Sequence, residues 1–363
     1  MIPIFKPVIS DKGKKNVLKC LKTSWISSQG KFVKKFEDAL KKFHKIKYCV
    51  ATSSCTTALH LAILSLGLKK NDEIICPALS FISPANMVLL SNLKLVLVDI
   101  NPITLTIDEN KIEEKITKRT KAIIVVHQFG HSANMGKILK IKNKYNLKLI
   151  EDNAESIGGK YKKKLNGTLG DISTLSFFAN KIITTGEGGA ILTNNKKIYL
   201  KCLEMRDHGM SKKKRYFHTM LGFNYRMTNL QAAIGLSQVH EIKKILSKRK
   251  IQINYYNKFL SKNKNYTIRK FEKWCKPVHW LTTITLKEKG KRDSLLKYLK
   301  KKGIEARQMV NPINEALHIK KFIKKKFKHS YQISKNSIHL PSSLDLSTKK
   351  IDYIIKNLNG YFK

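Results

Sequence analysis

Residues Ser176–Gly189 read SFFANKIITTGEGG, a sequence that leads from a strand-like apolar run into a glycine-rich turn. One lysine, Lys181, stands between the two parts. A lysine that attacks a carbonyl group must be neutral, and apolar neighbours favour the neutral amine. The glycines let a backbone approach a flat ligand closely. The alternative is a lysine that extends from a strand end into water.

Acidic groups close another apolar run upstream, at Glu151–Glu155 (EDNAE). Asp152 is expected to face a protonated pyridine nitrogen, because a carboxylate there makes the ring an electron sink for a carbanion. Glu155 is expected on the 3-oxygen side of that ring. A helix cap is the alternative use of an aspartate at a strand end. Together with Lys181, these residues indicate pyridoxal phosphate chemistry.

A phosphate site is expected at Thr52–His60 (TSSCTTALH), which joins a strand to a helix. Backbone N–H groups and hydroxyls at a helix N-terminus face an anion there. The candidate ligands are Ser54, Cys55, Thr56 and, from the lysine segment, Ser176. Plain N-capping explains the serines equally well. Phe81 is expected to stack on the ring, with ordinary core packing as the alternative.

Apolar runs alternate with amphipathic stretches up to about residue 200. This alternation predicts an α/β sheet with mostly parallel strands and helices on both faces. Strands are expected over Tyr48–Ala51, Glu73–Cys76, Leu93–Asp99, Ala122–His127, Leu147–Glu151, Thr174–Phe178 and Gly189–Thr193. Helical patterns include Thr57–Leu66, Pro84–Leu90, Lys111–Lys115 and Met135–Tyr145. Ligands bind beyond the carboxyl ends of such strands, where Asp152, His127 and the segment around Phe81 fall.

The pattern changes near residue 240, where Gln238–Tyr256 reads as a long helix rich in lysine. It follows a polar, aromatic loop, Gly222–Leu230, and an alanine-rich helix, Gln231–Leu236. Beyond it we expect a strand over Trp280–Leu286 and helices over Asp293–Lys302 and Thr348–Leu358. The sequence therefore predicts a large α/β domain over residues 1–240 and a small α+β domain over residues 241–363.

The charge is extreme, since 72 Lys and Arg against 25 Asp and Glu give +47. Such a charge raises the hypothesis of a nucleic-acid partner. Only eight of the basic residues are arginine, which nucleic-acid readers favour for bidentate and stacking contacts. The lysines are also spread through every helix-like segment. We therefore interpret the charge as a solvated surface of biased composition and expect no nucleic-acid partner.

No stretch approaches the roughly 18 consecutive apolar residues of a membrane span, and the start, MIPIFKP, lacks the layout of a signal peptide. The six cysteines are scattered, without a CxxC pair or a neighbouring histidine cluster. These features predict a reduced, cytoplasmic protein with no membrane partner and no metal site.

Taken together, these motifs resemble the DegT/DnrJ/EryC1/StrS family of nucleotide-sugar aminotransferases. The most specific pieces are Thr23–Gly30 (TSWISSQG), Gly170–Gly189 and Asn224–Asn229 (NYRMTN). The resemblance runs from Pro3 to the final helix. It implies the aspartate aminotransferase fold, pyridoxal 5'-phosphate as cofactor, and L-glutamate and a nucleotide sugar as substrates, in the biosynthesis of cell-surface polysaccharide such as O-antigen.

The resemblance also implies residue roles. Lys181 matches the lysine that carries the cofactor, and Asp152 matches the partner of its pyridine nitrogen. Glu155, Ser176, Thr56 and Phe81 match further cofactor contacts, and Asn224 matches a phosphate ligand donated by the neighbouring subunit of an obligate homodimer. Candidate substrate contacts are Trp25, Ser27, Arg226 and Asn314. Two positions depart from the family pattern: Cys55 replaces a usual glycine, and Asn314 a usual histidine.

Several activities remain open within this resemblance. The chain is most similar to the branch that aminates GDP-4-keto-6-deoxymannose, and a UDP- or dTDP-linked 4-keto-6-deoxyglucose or a 3-keto sugar is the alternative substrate. Relatives that dehydrate a 4-keto sugar at C3 carry histidine where this chain has Lys181. A non-catalytic regulator or nucleic-acid-binding protein is the most distant alternative.

Overall fold

The computed structural model describes residues 1–211 and 213–363. Short apolar runs rich in isoleucine, leucine and valine form its strands, as expected for chain segments buried on both faces of a sheet. The strands are β1 (Tyr48–Thr52), β2 (Glu73–Pro77), β3 (Lys94–Val98), β4 (Thr120–Val126), β5 (Lys148–Asp152), β6 (Lys160–Tyr161), β7 (Lys164–Leu165), β8 (Ile172–Ser176), β9 (Gly189–Thr193), β10 (Tyr266–Ile268), β11 (Cys275–Lys276), β12 (Thr282–Leu286), β13 (Arg307–Gln308) and β14 (Ser337–Leu340).

Helices such as Lys31–His44 and Thr348–Gly360 carry their buried apolar residues at helical spacing on one face. The helices are α1 (Asp11–Lys22), α2 (Lys31–His44), α3 (Cys55–Ser65), α4 (Ser83–Leu90), α5 (Met135–Lys144), α6 (Lys196–Arg206), α7 (Asn229–Leu260), α8 (Lys291–Lys301), α9 (Leu317–Lys320), α10 (Lys328–Asn336) and α11 (Thr348–Gly360). None of the helices in the described ranges combines the length and the apolar character that crossing a lipid bilayer requires.

A seven-stranded sheet lies at the centre, in the order β1-β9-β8-β5-β4-β2-β3. Strands β8, β5, β4, β2 and β3 are parallel, and β9 runs antiparallel to β1 and β8. The carboxyl ends of the parallel strands therefore meet at one edge, the place where such sheets bind ligands. The predicted α/β fold with a mostly parallel, mixed sheet is confirmed.

Helices α1 and α2 pack on the first half of α7. Phe32, Phe36 and Leu40 recur at a spacing of four residues, so they share one buried face of α2. Gly235 of α7 permits this close packing, because a Cβ there would overlap the ring of Phe36. The helix pair forms part of the core beneath the Lys181 segment, where Phe36 meets Phe177 edge to face.

The C-terminal part contains a four-stranded sheet in the order β10-β12-β14-β13, whose strand pairs are antiparallel. A separate apolar cluster joins this sheet to α8, α11 and the last turns of α7. In a third, small sheet, β11 from the C-terminal half of the chain pairs with β6 from the N-terminal half. The C-terminal half therefore also contacts the part of the chain that forms the large sheet. The division into domains at residues 240 and 241 stays a prediction.

Two predicted helices differ in the structure. Lys111–Lys115 forms parts of two short 3₁₀ turns, Glu109–Lys111 and Glu113–Lys115, because Asp108 caps a single turn and the chain then turns again. The alanine-rich helix and the long helix after it are one helix of 32 residues, α7. Ser237, which separated them in the sequence, donates its hydroxyl to the carbonyl of Ile234 in the same helix.

Candidate active site

A cavity of about 470 Å³ opens at the carboxyl edge of the large sheet. The chain reaches it from several strands, since β5 ends in Asp152 and β8 ends in Ser176. The structure brings together all the residues proposed for cofactor binding except Asn224, and the lining includes Lys181, Asp152, Glu155, Ser176, Ser54, Cys55, Thr56 and Phe81.

Lys181 lies in the turn between β8 and β9, and its side chain is 13% exposed. The turn is closed by backbone hydrogen bonds of 2.9 Å from Phe177 N to Gly188 O and from Lys181 N to Phe178 O. The amine Nζ lies 3.5 Å from Glu155 Oε1 and 3.8 Å from the centre of the Trp280 ring. The amine is therefore held between a carboxylate and an aromatic face.

Asp152 is buried at the end of β5. Burial raises the pKa of its carboxyl group to about 6, and the charge of Glu155 adds to the rise; a 3.0 Å hydrogen bond from Ala154 N and the charge of Lys181 oppose it. A carboxyl group in this state gains from a cation placed beside it, since an opposite charge restores the ionised form. A protonated pyridine nitrogen supplies such a charge.

A second carboxylate, Glu151, precedes Asp152 on β5 and accepts hydrogen bonds from backbone N–H groups of the segment before β8. Its Oε2 is 2.8 Å from His127 Nε2, and both side chains are fully buried. Ala133 N donates to His127 Nδ1, so Nε2 is the nitrogen that carries the proton. Burial alone would raise the pKa of Glu151, but hydrogen bonds from His127 and from backbone N–H groups, including that of Gly167, hold it below its usual value. His127 is thus a partner of Glu151.

The turn into α3 is the place where the sequence predicts an anion site. Ser54 is the N-cap of α3 and forms a capping box with Thr57, so the alternative of plain capping is observed for this serine. Thr56 Oγ1 lies 2.9 Å from Ser83 Oγ, and burial raises the pKa of the Cys55 thiol. A neutral thiol and hydroxyls leave the positive end of the helix dipole uncompensated.

Gly189 joins this turn to the lysine segment. It is paired with Ser176 at the start of β9, and a Cβ at this position would overlap the carbonyl group of Ser54. The missing side chain lets the Ser176 strand end and the α3 N-terminus come together. The donor set therefore fits pyridoxal phosphate: hydroxyls and a helix N-terminus for the phosphate, Asp152 for the ring nitrogen and Lys181 for the aldehyde carbon.

The sequence did not identify the residues that form the opposite wall. They come from the turn after β4 and from the C-terminal sheet, and they are Phe129, Trp280, Arg307, Gln308 and His339. Burial lowers the pKa of His339 to about 3, with Arg269 and Arg307 adding to the effect, so its imidazole is neutral. Of these five residues, Trp280 is the one that the sequence pattern could have indicated, because it is an aromatic residue at the start of the predicted strand Trp280–Leu286.

The remaining candidates lie outside the cavity lining. Trp25 is 57% exposed, and the carbonyls of Trp25 and Ser27 accept hydrogen bonds from Asn229. Arg226 pairs with Asp207 and donates to Ser28 Oγ at 3.0 Å. Asn224 is exposed, while Asn314 is buried, donates to Lys325 O at 2.9 Å and has no partner for Oδ1 among the described residues. Their substrate or cofactor roles stay predictions.

Known proteins are similar in sequence to this chain over most or nearly all of its length. GDP-perosamine synthase of Escherichia coli O157:H7 is 37% identical over 363 residues, which cover 99% of this chain and 98% of that protein. GDP-perosamine synthase of Caulobacter vibrioides is 37% identical over 361 residues, covering 99% and 97%. UDP-4-amino-4,6-dideoxy-N-acetyl-beta-L-altrosamine transaminase of Campylobacter jejuni (strain 81-176) is 32% identical, covering 91% and 89%.

Solved structures share the fold. Helicobacter pylori PseC, an aminotransferase involved in the biosynthesis of pseudoaminic acid, superposes with a TM-score of 0.94 at 29% identity, covering 99% of both chains. E. coli GDP-4-keto-6-deoxy-D-mannose-3-dehydratase with bound hydrated PLP superposes with a TM-score of 0.91 at 27% identity, again covering 99% of both.

The family model of the DegT/DnrJ/EryC1/StrS aminotransferases matches residues 7–359, which leaves only the two ends of the chain outside the match. The resemblance seen in the sequence is thereby confirmed. The chain belongs to the DegT/DnrJ/EryC1/StrS aminotransferase family.

Proposed function

We propose that this chain is a pyridoxal phosphate-dependent transaminase that moves an amino group from L-glutamate to the keto carbon of a nucleotide-linked sugar. One observation carries the proposal: the Lys181 amine, the buried Asp152 carboxyl group and the hydroxyl-rich N-terminus of α3 line one cavity. When bound, pyridoxal phosphate accepts the amino group from the donor and passes it to the acceptor. The protein's own residues bind, orient and move protons.

Lys181 has two tasks in this proposal. Its Nζ atom holds the cofactor before the donor binds and then moves a proton at the substrate carbon that gains or loses the amino group. Glu155, 3.5 Å from Nζ, keeps the amine at that position. Trp280 covers the amine on another side and limits the access of water.

Asp152 stabilises positive charge at the inner end of the cavity. Inside a buried site, an opposite charge a few ångströms away is worth several kcal/mol. Ser54, Thr56, Ser176 and the N–H groups of α3 take the phosphate at the other end. The ring is thus fixed at both ends, with Phe81, which is 63% exposed, covering one face from the cavity mouth.

We infer that the substrate is GDP-4-keto-6-deoxy-D-mannose and the product GDP-perosamine. Two relatives named GDP-perosamine synthase, each 37% identical over almost the whole chain, support this choice. A UDP- or dTDP-linked 4-keto-6-deoxyglucose or a 3-keto sugar is the second candidate, which the Campylobacter jejuni relative supports. Lys181 favours amine transfer over dehydration, because relatives that dehydrate a 4-keto sugar at C3 carry histidine at this position.

We also infer that the protein is a homodimer with shared active sites and that it is located in the cytoplasm. Asn224 is exposed and lies outside its own chain's cavity lining, as expected for a ligand that serves the neighbouring subunit. Trp25 and Phe81 expose large apolar surfaces, which a dimer interface would cover. The cytoplasmic location rests on the cysteine pattern and stays a prediction.

The test is incubation of the purified protein with pyridoxal phosphate, L-glutamate and a panel of keto sugar nucleotides. The panel contains GDP-, UDP- and dTDP-linked 4-keto-6-deoxy sugars and a 3-keto sugar, with products identified by mass. We expect an amino sugar with the GDP substrate and 2-oxoglutarate in equal amount. An amino sugar from another nucleotide alone would move the proposal to the second candidate, and a 3-deoxy product would contradict amine transfer.

A further inference from the structure

The segment 269–280, which follows β10, wraps around the turn after β4. Val278 N donates to Gly130 O at 3.0 Å, and Glu272 N donates to His131 Nε2 at 3.2 Å. Arg269 reaches deepest, since its Nη1 donates to Phe129 O at 2.9 Å and its Nη2 donates to Thr104 O. One side chain thus clamps two loops of the large sheet's edge.

The guanidinium group of Arg269 is held in an unusual environment. Its acceptors are backbone carbonyls, its Nε is buried with no hydrogen-bond partner among the described residues, and burial lowers the pKa of the group to about 10. A buried cation without a direct ion pair is costly to keep.

The backbone of Phe129, which Arg269 holds, is itself unusual. Phe129 has φ 49° and ψ 32°, the left-handed region, which a bulky residue adopts only when its surroundings impose it. This backbone conformation aims the Phe129 carbonyl at Arg269 and the Phe129 N–H at Glu155 Oε2, 2.7 Å away. The other oxygen of that carboxylate, Oε1, is the one 3.5 Å from Lys181 Nζ.

We propose that Arg269 is a positioning residue of the active site: by holding the backbone of Phe129, it fixes the Glu155 carboxylate against the amine of Lys181. Each link is a contact in the structure, from guanidinium to carbonyl, from N–H to carboxylate, and from carboxylate to amine. Arg269 also lends its positive charge to the Glu155 side of the site. The proposal rests on the proposed role of Lys181 as the cofactor lysine.

The experiment is a double-mutant cycle with Arg269→Met and Glu155→Gln in the full-length protein. The measurements are the cofactor dissociation constant, the visible spectrum of the bound cofactor, and the rate of the half-reaction with glutamate. We expect each single change to weaken cofactor binding about tenfold. Because both act through one carboxylate, the double variant should bind the cofactor within about twofold of Glu155→Gln alone.

Arg292→Met is the matched control. Arg292 is a largely buried arginine whose Nη1 also donates to a carbonyl, that of Ser334, at 2.9 Å, but it lies in the C-terminal sheet's helix α8, away from the cavity lining. Its loss should lower the melting temperature and combine multiplicatively with Glu155→Gln. Arg269→Lys, which keeps a charge and one donor, should recover part of the cofactor affinity and the wild-type spectrum.

Multiplicative effects of Arg269→Met and Glu155→Gln on cofactor affinity would overturn the proposal, and so would an unchanged cofactor spectrum in Arg269→Met. If Arg269→Met fails to fold, the same cycle with Arg269→Lys decides by the same criterion. Lys181→Ala separates this result from the proposed function. If this variant keeps the wild-type cofactor spectrum, the assignment of Lys181 as the cofactor lysine fails. If it loses that spectrum while the effects of Arg269→Met and Glu155→Gln multiply, only the role of Arg269 is rejected.

Discussion

Lys181 is one of many lysines in this chain, and its surroundings distinguish it. Its amine is enclosed by Glu155 and by the face of Trp280, within 3.5 Å and 3.8 Å. We predict that Lys181→Ala abolishes steady-state amino transfer and the visible absorbance of the lysine-linked cofactor, because no other described amine lines the cavity. Turnover assays and absorbance spectra check this. Sustained transamination by the variant would refute the assignment.

Asp152 gives a prediction about pH. Its pKa in the cofactor-free protein is raised from the usual 3.8 to about 6. The folded state therefore binds more protons than the unfolded state between these values, and the free energy of unfolding falls as pH rises through that window. Asp152→Asn removes this loss, on the order of 2–3 kcal/mol.

We therefore expect cofactor-free Asp152→Asn to be more stable than the wild type at pH 8 and to keep only about a third of that advantage at pH 4.5, near the start of the window, while amino transfer is lost. Urea denaturation at both pH values measures the difference. Asp171→Asn, at an aspartate outside the cavity lining, serves as the control. An equal change in stability at both pH values would show that Asp152 is ionised throughout.

At the scale of elements, the contact of β9 with the start of α3 forms the proposed phosphate site. Gly189→Ala places a methyl group against the Ser54 carbonyl, so β9 and α3 must separate. We expect cofactor affinity to fall at least about tenfold, more than stability alone explains, because the N–H groups and the Ser176 hydroxyl no longer converge. Spectroscopic titration with pyridoxal phosphate gives the dissociation constant.

Gly360→Ala is the control for this change. Gly360 ends α11, and a Cβ there meets only the Tyr298 hydroxyl at 3.4 Å. This variant should bind the cofactor like the wild type. Equal losses in the two variants would mean that glycine replacement in general, and not the β9–α3 contact, weakens the site.

For the whole molecule, the proposed dimer predicts complementation between inactive subunits. If Asn224 of one chain serves the site of its partner, Lys181→Ala and Asn224→Ala subunits form mixed dimers with one intact site. Random mixing in equal amounts should then restore about one quarter of the wild-type activity, since half the dimers are mixed and half their sites are intact. Activity measured after joint refolding checks this, and no recovery would argue that each chain supplies its own site.

Much of the fold could be predicted from local sequence patterns. Strands buried on both faces are short, nearly continuous apolar runs, so β1, β2, β5 and β9 could be placed to within a residue or two. Helix boundaries were less certain where a polar residue such as Ser237 interrupts the pattern, because its hydroxyl can bond to its own helix. Charged residues at Lys111–Lys115 suggested a helix that the chain forms only as two tight turns.

The amino-acid sequence by itself determined the α/β fold, the family and the residues at the carboxyl ends of the strands. These depend on local patterns and on short motifs such as SFFANKIITTGEGG. The assembled fold determined the other wall of the cavity. Trp280 meets Lys181, and Arg269 meets Phe129, over long separations in sequence. Such contacts leave no periodic signal in either segment, because they arise only when the C-terminal sheet packs against the edge of the large one.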